Sequence, residues 1–244
     1  MATTTQAGQG TTTGGGRSPF LVELYRSALG KKYIMAITGI VGLGYILAHM
    51  IGNLKLYQSP EDFNRYAEFL RELLYPIAPA SAILNLLRAV LILALIGHVV
   101  AAAQLTAMNR RARPDSYRSK RDYVTADFAA RTMRWTGVIV LLFLAYHLAD
   151  LTWGWVNPAE AGATPYEKVV ASFSQPAVAA FYLFANLALG VHIYHGTWSL
   201  FQSMGWNRPG SSRQGLRLLA IAFTVVVIGG NLTFPIAVQV GLIS

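Results

Sequence analysis

The sequence predicts an all-α protein that crosses a membrane five times, and three observations carry that expectation. Only 13% of its 244 residues are charged, about half of what a soluble domain carries. Residues 33–54, 89–109, 169–207 and 218–244 contain no charged side chain, and each run reaches or exceeds the ~20 residues a helix needs to cross a bilayer core. A fifth candidate, residues 135–156, is interrupted only by Asp150 near its far end. This composition argues against a water-soluble enzyme.

Taken in order, residues 1–18 are rich in Thr, Gly and Gln with no apolar core and no small-residue cleavage site, which predicts a disordered tail and not a signal peptide. Residues 19–244 then form a single membrane domain. Residues 19–30 (PFLVELYRSALG) read as a short amphipathic lead-in helix at the interface, and the first span covers about 33–55. In residues 58–74, Phe63, Tyr66, Ala67, Leu70 and Leu74 recur at helical spacing between Pro60 and Pro76, so this connection should lie as a helix along the membrane surface. The remaining spans cover about 82–108, 133–156, 176–203 and 217–240, and the connection over 157–175 carries weaker helix punctuation. No internal repeat is read beyond the N-terminal tail.

The net charge of +9 has no soluble folded region on which a nucleic-acid module might stand, so nucleic acid is not an expected partner and the charge reads as topology signal. Four basic residues precede the first span (Arg17, Arg26, Lys31, Lys32). Eight lie between 110 and 134 (Arg110, Arg111, Arg113, Arg118, Lys120, Arg121, Arg131, Arg134), and three between 208 and 217 (Arg208, Arg213, Arg217). These fifteen fall on one side, whereas only Lys55, Arg65, Arg71, Arg88 and Lys168 fall on the other. The expected orientation is N-terminus inside and C-terminus outside, in a bacterial-type cytoplasmic membrane.

Every histidine lies inside an expected span: His49 in the first, His98 in the second, His147 in the third, His192 and His195 in the fourth. One membrane histidine can serve helix packing, but ionisable groups in a bilayer are costly and default to function. At ~1.5 Å per residue from each span's midpoint, His49 and His147 fall outward of centre, while His98 and His192 fall roughly 6 Å inward. Two bis-histidine planes at different depths, in a bundle made by the first four helices, suit two stacked b-type haems with axial imidazoles from opposite faces. His195, three residues after His192, is a candidate alternative ligand or outer hydrogen-bond partner. The chain has no cysteine, so an iron-sulfur cluster ligated by two histidines would require thiolates from a partner chain. Arg88 is a candidate for a haem propionate or for snorkelling to the interface. Asp150 is a candidate for carrying protons or quinone contact, or for orienting His147, against the plainer reading of an interfacial carboxylate.

The stretch SALGKKYIMAITGIVGLGYILAHMIGNLKLY, with its Gly-Lys-Lys entry and His-x-x-Gly-Asn-Leu exit, and VHIYHGTWSLFQSMGW in the fourth helix resemble the single-chain cytochrome b membrane anchor of succinate dehydrogenase and fumarate reductase, the succinate:quinone oxidoreductase or complex II of the tricarboxylic acid cycle. The resemblance runs from about residue 27 into the fifth helix. It implies axial haem ligation by His49, His98, His147 and His192, whose intervals are 49, 49 and 45 residues, and prefers His192 over His195 through Gly196 and Trp198. It implies electron transport from a flavoprotein and an iron-sulfur subunit, docked on the basic cytoplasmic face, to a membrane quinone of the menaquinone or ubiquinone class. Succinate oxidation itself would occur on those partners. Candidates for the quinone are Arg26, Ser27, Lys31, His195 and Trp206 on the inner side, and Arg88 and Asp150 on the outer. The competing expectations are the same anchor holding a shared iron-sulfur cluster, a proton-relaying transporter, and a cofactor-free structural anchor. The number of haems, the direction of catalysis and the formation of a higher oligomer stay open at this point.

Overall fold

The computed structural model describes residues 19–112, 124–206 and 211–244. The expected tail, Arg17, and the basic residues Arg113, Arg118, Lys120, Arg121 and Arg208 lie outside the described residues. No strand occurs among the described residues, and five helices are long and apolar enough to cross a membrane.

The lead-in helix is α1 (Phe20–Arg26), separated by Ser27 from α2 (Ala28–Asn53). Ser27 caps α2 because its Oγ accepts from the Gly30 N–H at 2.9 Å, satisfying one of the amides that a helix start leaves unpaired. The first span therefore starts five residues before the charge pattern suggested, since Lys31 and Lys32 are carried inside the helix. A 3-10 turn over Leu54–Tyr57 leads to the surface helix α3 (Pro60–Glu72), capped by Ser59 Oγ accepting from the Asp62 N–H at 3.0 Å.

The second span is α4 (Ala82–Arg111) and the third begins as α5 (Val124–His147). Past His147 the α-helix gives way to a π turn over Leu148–Thr152, a rare form that concentrates at functional sites. A short helix, α6 (Pro165–Phe173), follows; Thr164 and Glu167 form a reciprocal capping box at its start. There the Thr164 N–H and hydroxyl hold the Glu167 carboxyl below its usual pKa. The last spans are α7 (Pro176–Ser203) and α8 (Ser211–Gln239), with Pro235 inside it.

Helix α2 packs on α4, α5 on α7, and α8 on α7, while α2 also touches α7 and α8. The α7 span is the most enclosed of the five and the α4 span the least, and α4 turns Leu86, Val90, Leu93 and Ile96 outward. Lipid is as apolar as leucine, so such helices associate through close packing of small residues. Ala36, Ala185, Ala188 and Ala220 are accordingly buried. A Cβ on Gly97 would lie 3.5 Å from Thr38 Cγ2, and one on Gly190 would lie 3.2 Å from Ile228 Cγ1.

Gly30 is the tightest of these approaches. A Cβ there would stand 1.9 Å from the Leu24 carbonyl oxygen, a backbone atom that cannot rotate away. Gly30→Ala should displace α1 from α2 and destabilise their joint by about 1–3 kcal/mol. Limited proteolysis of the purified protein, with faster cleavage between α1 and α2, checks it; an unchanged cleavage rate would refute the close contact.

Candidate functional site

The bundle brings four histidines together in two pairs. The rings of His49 on α2 and His147 on α5 have centroids 5.9 Å apart, and those of His98 on α4 and His192 on α7 are 6.4 Å apart. His195 is not part of either pair; its ring contact is with its chain neighbour Tyr194.

Hydrogen bonds distinguish the two pairs. Thr38 Oγ1 lies 3.1 Å from His98 Nδ1, and Thr136 Oγ1 lies 3.3 Å from His192 Nδ1. Each threonine hydroxyl also donates to the carbonyl four residues back, Ile34 O and Thr132 O, at 2.7 Å. In the other pair, Asn53 Nδ2 approaches His49 Nε2 at 3.3 Å, and His147 Nδ1 is buried without a hydrogen-bond partner among the described residues. Two glycines keep space at the His98–His192 pair: a Cβ on Gly39 would lie 3.7 Å from His98 Cε1, and one on Gly137 would lie 3.5 Å from His192 Cε1.

These matched contacts expose an internal repeat, so the expectation of none is corrected. Met35-x-x-Thr38-Gly39 in α2 recurs as Met133-x-x-Thr136-Gly137 in α5, each with a histidine eleven residues after the threonine. Leu93-Ala94-Leu95-x-x-His98 in α4 recurs as Leu187-Ala188-Leu189-x-x-His192 in α7. The units α2–α4 and α5–α7 each add a capped surface helix, α3 or α6, and each histidine pair takes one ring from each unit. The signal was hidden because few positions match and the connections differ in length. It would have singled out Thr38 and Thr136, which residue-type reasoning passed over.

Asp150 does not lie at an interface as a solvated carboxylate. It is 1% exposed in the π turn, its Oδ1 accepting from Asn157 Nδ2 at 2.7 Å and its Oδ2 from Ser172 Oγ at 2.5 Å and Tyr182 Oη at 2.8 Å. None of these donors is His147, although the Tyr182 ring packs 5.9 Å from the His147 ring. Asn157, Ser172 and Tyr182 were not foreseen, because a hydroxyl or amide 7 to 32 residues away carries no spacing signal. Arg88 is exposed on α4 and donates to Asn85 Oδ1 at 3.1 Å.

The remaining quinone candidates do not converge. Ser27 is taken up as the α2 cap, and the Lys31 Nζ, buried, donates to the Tyr25 carbonyl at 2.6 Å and sits 4.5 Å over that tyrosine's ring. Arg26 is exposed, and Trp206 packs on Phe201 with half its surface exposed. Beside Lys31 runs an apolar groove of about 210 Å³ lined by Leu24, Tyr25, Gly30, Tyr33, Ile34 and Ile37.

The family described as succinate dehydrogenase/fumarate reductase transmembrane subunit matches residues 106–229. The chain belongs to that family. The match runs from the end of α4 into α8, and so contains Thr136, His147, Asp150 and His192, while His49 and His98 lie N-terminal to it. No curated protein and no solved structure matches the chain. As a succinate dehydrogenase/fumarate reductase transmembrane subunit, this multi-pass membrane protein is one part of a succinate:quinone oxidoreductase complex, and its partners are that complex's other subunits.

The histidine pairs fit an axially ligated haem. A bare structural ion takes about four protein ligands, whereas among the described residues no group of three or more His, Cys, Asp or Glu side chains converges. Two imidazoles alone suit an iron whose other positions are filled by its own macrocycle. His49 with His147, 5.9 Å apart, and His98 with His192, 6.4 Å apart, are the pairs that would hold such a group.

Proposed function

We propose that this succinate dehydrogenase/fumarate reductase transmembrane subunit conducts electrons from an iron-sulfur partner subunit, through two histidine-ligated b-type haems, to a membrane quinone. The observation that carries the reading is the pair of cross-unit imidazole couples, His98 with His192 and His49 with His147. Haem, when bound, supplies one-electron Fe(III)/Fe(II) chemistry, with a potential set by ligands and surroundings. The chain's residues hold two such centres at different depths in a low-dielectric bundle, and the outward-facing apolar surface of α4 keeps that bundle in lipid.

The α1 end of the bundle carries Arg26, Lys32, Arg110, Arg111, Arg134, Arg213 and Arg217. Retention of basic residues on the cytoplasmic side supports reading this end as the inner one, where its charge would steer a flavoprotein and iron-sulfur pair into register. Arg26, adjoining Tyr25 of the apolar groove beside Lys31, is the group we assign to quinone approach at this end; exposed Arg88 is its counterpart at the α3 and α6 end.

The deciding measurement is a reduced-minus-oxidised spectrum with pyridine haemochrome on the purified complex. Two b-type haems per chain are expected. A complex that assembles and reduces quinone with no b-type haem would sink the cofactor assignment, and EPR for a histidine-ligated cluster would follow.

A further inference from the structure

We propose that Thr38 and Thr136 are positioning residues that lock His98 and His192 in the Nδ1–H tautomer, so that both rings present an unprotonated Nε2 to the single centre between them. The inference rests on the haem reading only for what occupies that centre.

The tautomer follows from counting protons. A threonine hydroxyl has one hydrogen and two acceptor lone pairs. In both units that hydrogen is committed to the carbonyl four residues back, Ile34 O or Thr132 O, at 2.7 Å. The oxygen then has only lone pairs to offer the imidazole, 3.1 Å away at His98 and 3.3 Å at His192, so the ring nitrogen facing it must carry the proton. With Nδ1 protonated, the lone pair of a neutral imidazole is on Nε2, the form a metal requires, and a hydrogen bond on the far nitrogen fixes ring orientation and raises ligand basicity.

Two independent features separate this from incidental packing. The relay of carbonyl, hydroxyl and imidazole recurs in both units at repeat-matched positions, Met-x-x-Thr-Gly in α2 and in α5. The His49–His147 pair lacks it: His147 Nδ1 has no partner among the described residues and His49 is approached by an amide on its own helix. The device therefore acts on one centre and leaves the other as an internal control.

The test uses the whole complex with Thr38→Val, Thr136→Val and both together, which keep side-chain shape and remove the acceptor, and Thr38→Ser and Thr136→Ser, which restore it. At limiting haem the double valine variant should hold the His98–His192 centre about tenfold or more weaker. Its midpoint potential should rise because less basic imidazoles stabilise the ferric form less. The serine variants and the other centre should stay at wild-type values. Equal potentials in wild type and double valine variant, or equal shifts at both centres, would overturn the proposal.

A second readout needs no haem. In reduced complex labelled with 15N-histidine, solid-state NMR should give hydrogen-bonded Nδ1–H signals for His98 and His192 that move to the unbonded position in the valine variants and return in the serine variants. Nδ1–H signals that do not move in the double valine variant overturn the threonines' role, with or without haem. Absence of b-type haem with Nδ1–H shifts intact overturns the cofactor reading and upholds the threonines.

Discussion

Replacing Asp150 by alanine should lower the stability of the protein by about 3–5 kcal/mol, because two buried hydroxyls and the half-buried Asn157 amide lose their acceptor together and each orphaned group costs about 1–3 kcal/mol before partial relaxation. The donors come from different places in the chain: Asn157 in the connection, Ser172 in α6 and Tyr182 in α7. Asn157 also donates to Lys168 O at 3.1 Å, and its Oδ1 accepts from the Ala159 N–H at 2.9 Å. One carboxylate thus ties the end of α5 to the connection, α6 and α7, beside the His147 ring. Asp150→Asn retains the volume but presents an amide N–H where acceptors are needed, and should cost less than alanine while still being measurable. Thermal unfolding of the purified protein in detergent reads both, and a loss below about 0.5 kcal/mol for alanine would show that water replaces the carboxylate at no cost.

Replacing His98 by alanine is expected to remove the b-type signal of one centre and leave the other, since His98 and His192 form a pair distinct from His49 and His147. Loss of an outer partner of a metal ligand already costs about 10–100-fold, so loss of the ligand itself should cut quinone-linked succinate oxidation by more than about 100-fold. Succinate oxidation with an artificial acceptor, which reports on the partner subunits alone, should be unchanged. Retention of both haem signals in the variant would refute the pairing. Loss of both would mean that the two centres are not independently held.

The five spans were legible because an apolar run of about 20 residues, charge-free in four spans and broken only by Asp150 in the other, has no better place than lipid. The surface helix after the first span was legible too: residues 58–74 were expected and Pro60–Glu72 is helical. The helix α6 was harder, although its capping signature, Thr164 with Glu167 three residues on, stands in the sequence and a closer reading of the first turn would have found it. The boundary near His147 was not legible. Nothing in Leu148–Thr152 marks a π turn, whose widened hydrogen bonding is decided by what packs against it, here the donors that capture Asp150.

Sequence alone identified the five apolar spans and gave each histidine an expected depth, because hydropathy and a fixed helical rise convert chain position into depth. That is enough to group His49 with His147 and His98 with His192. It could not decide what the far nitrogen of each ring meets, because that depends on how two helices rotate and how closely they approach. The tertiary structure decided it: Gly97 lets α4 come up against Thr38 of α2, which puts a hydroxyl on His98, and the second unit repeats the contact at Thr136 and His192. It also turned Asp150 from an end-of-span charge into a buried acceptor, since only folding brings Ser172 and Tyr182 to it.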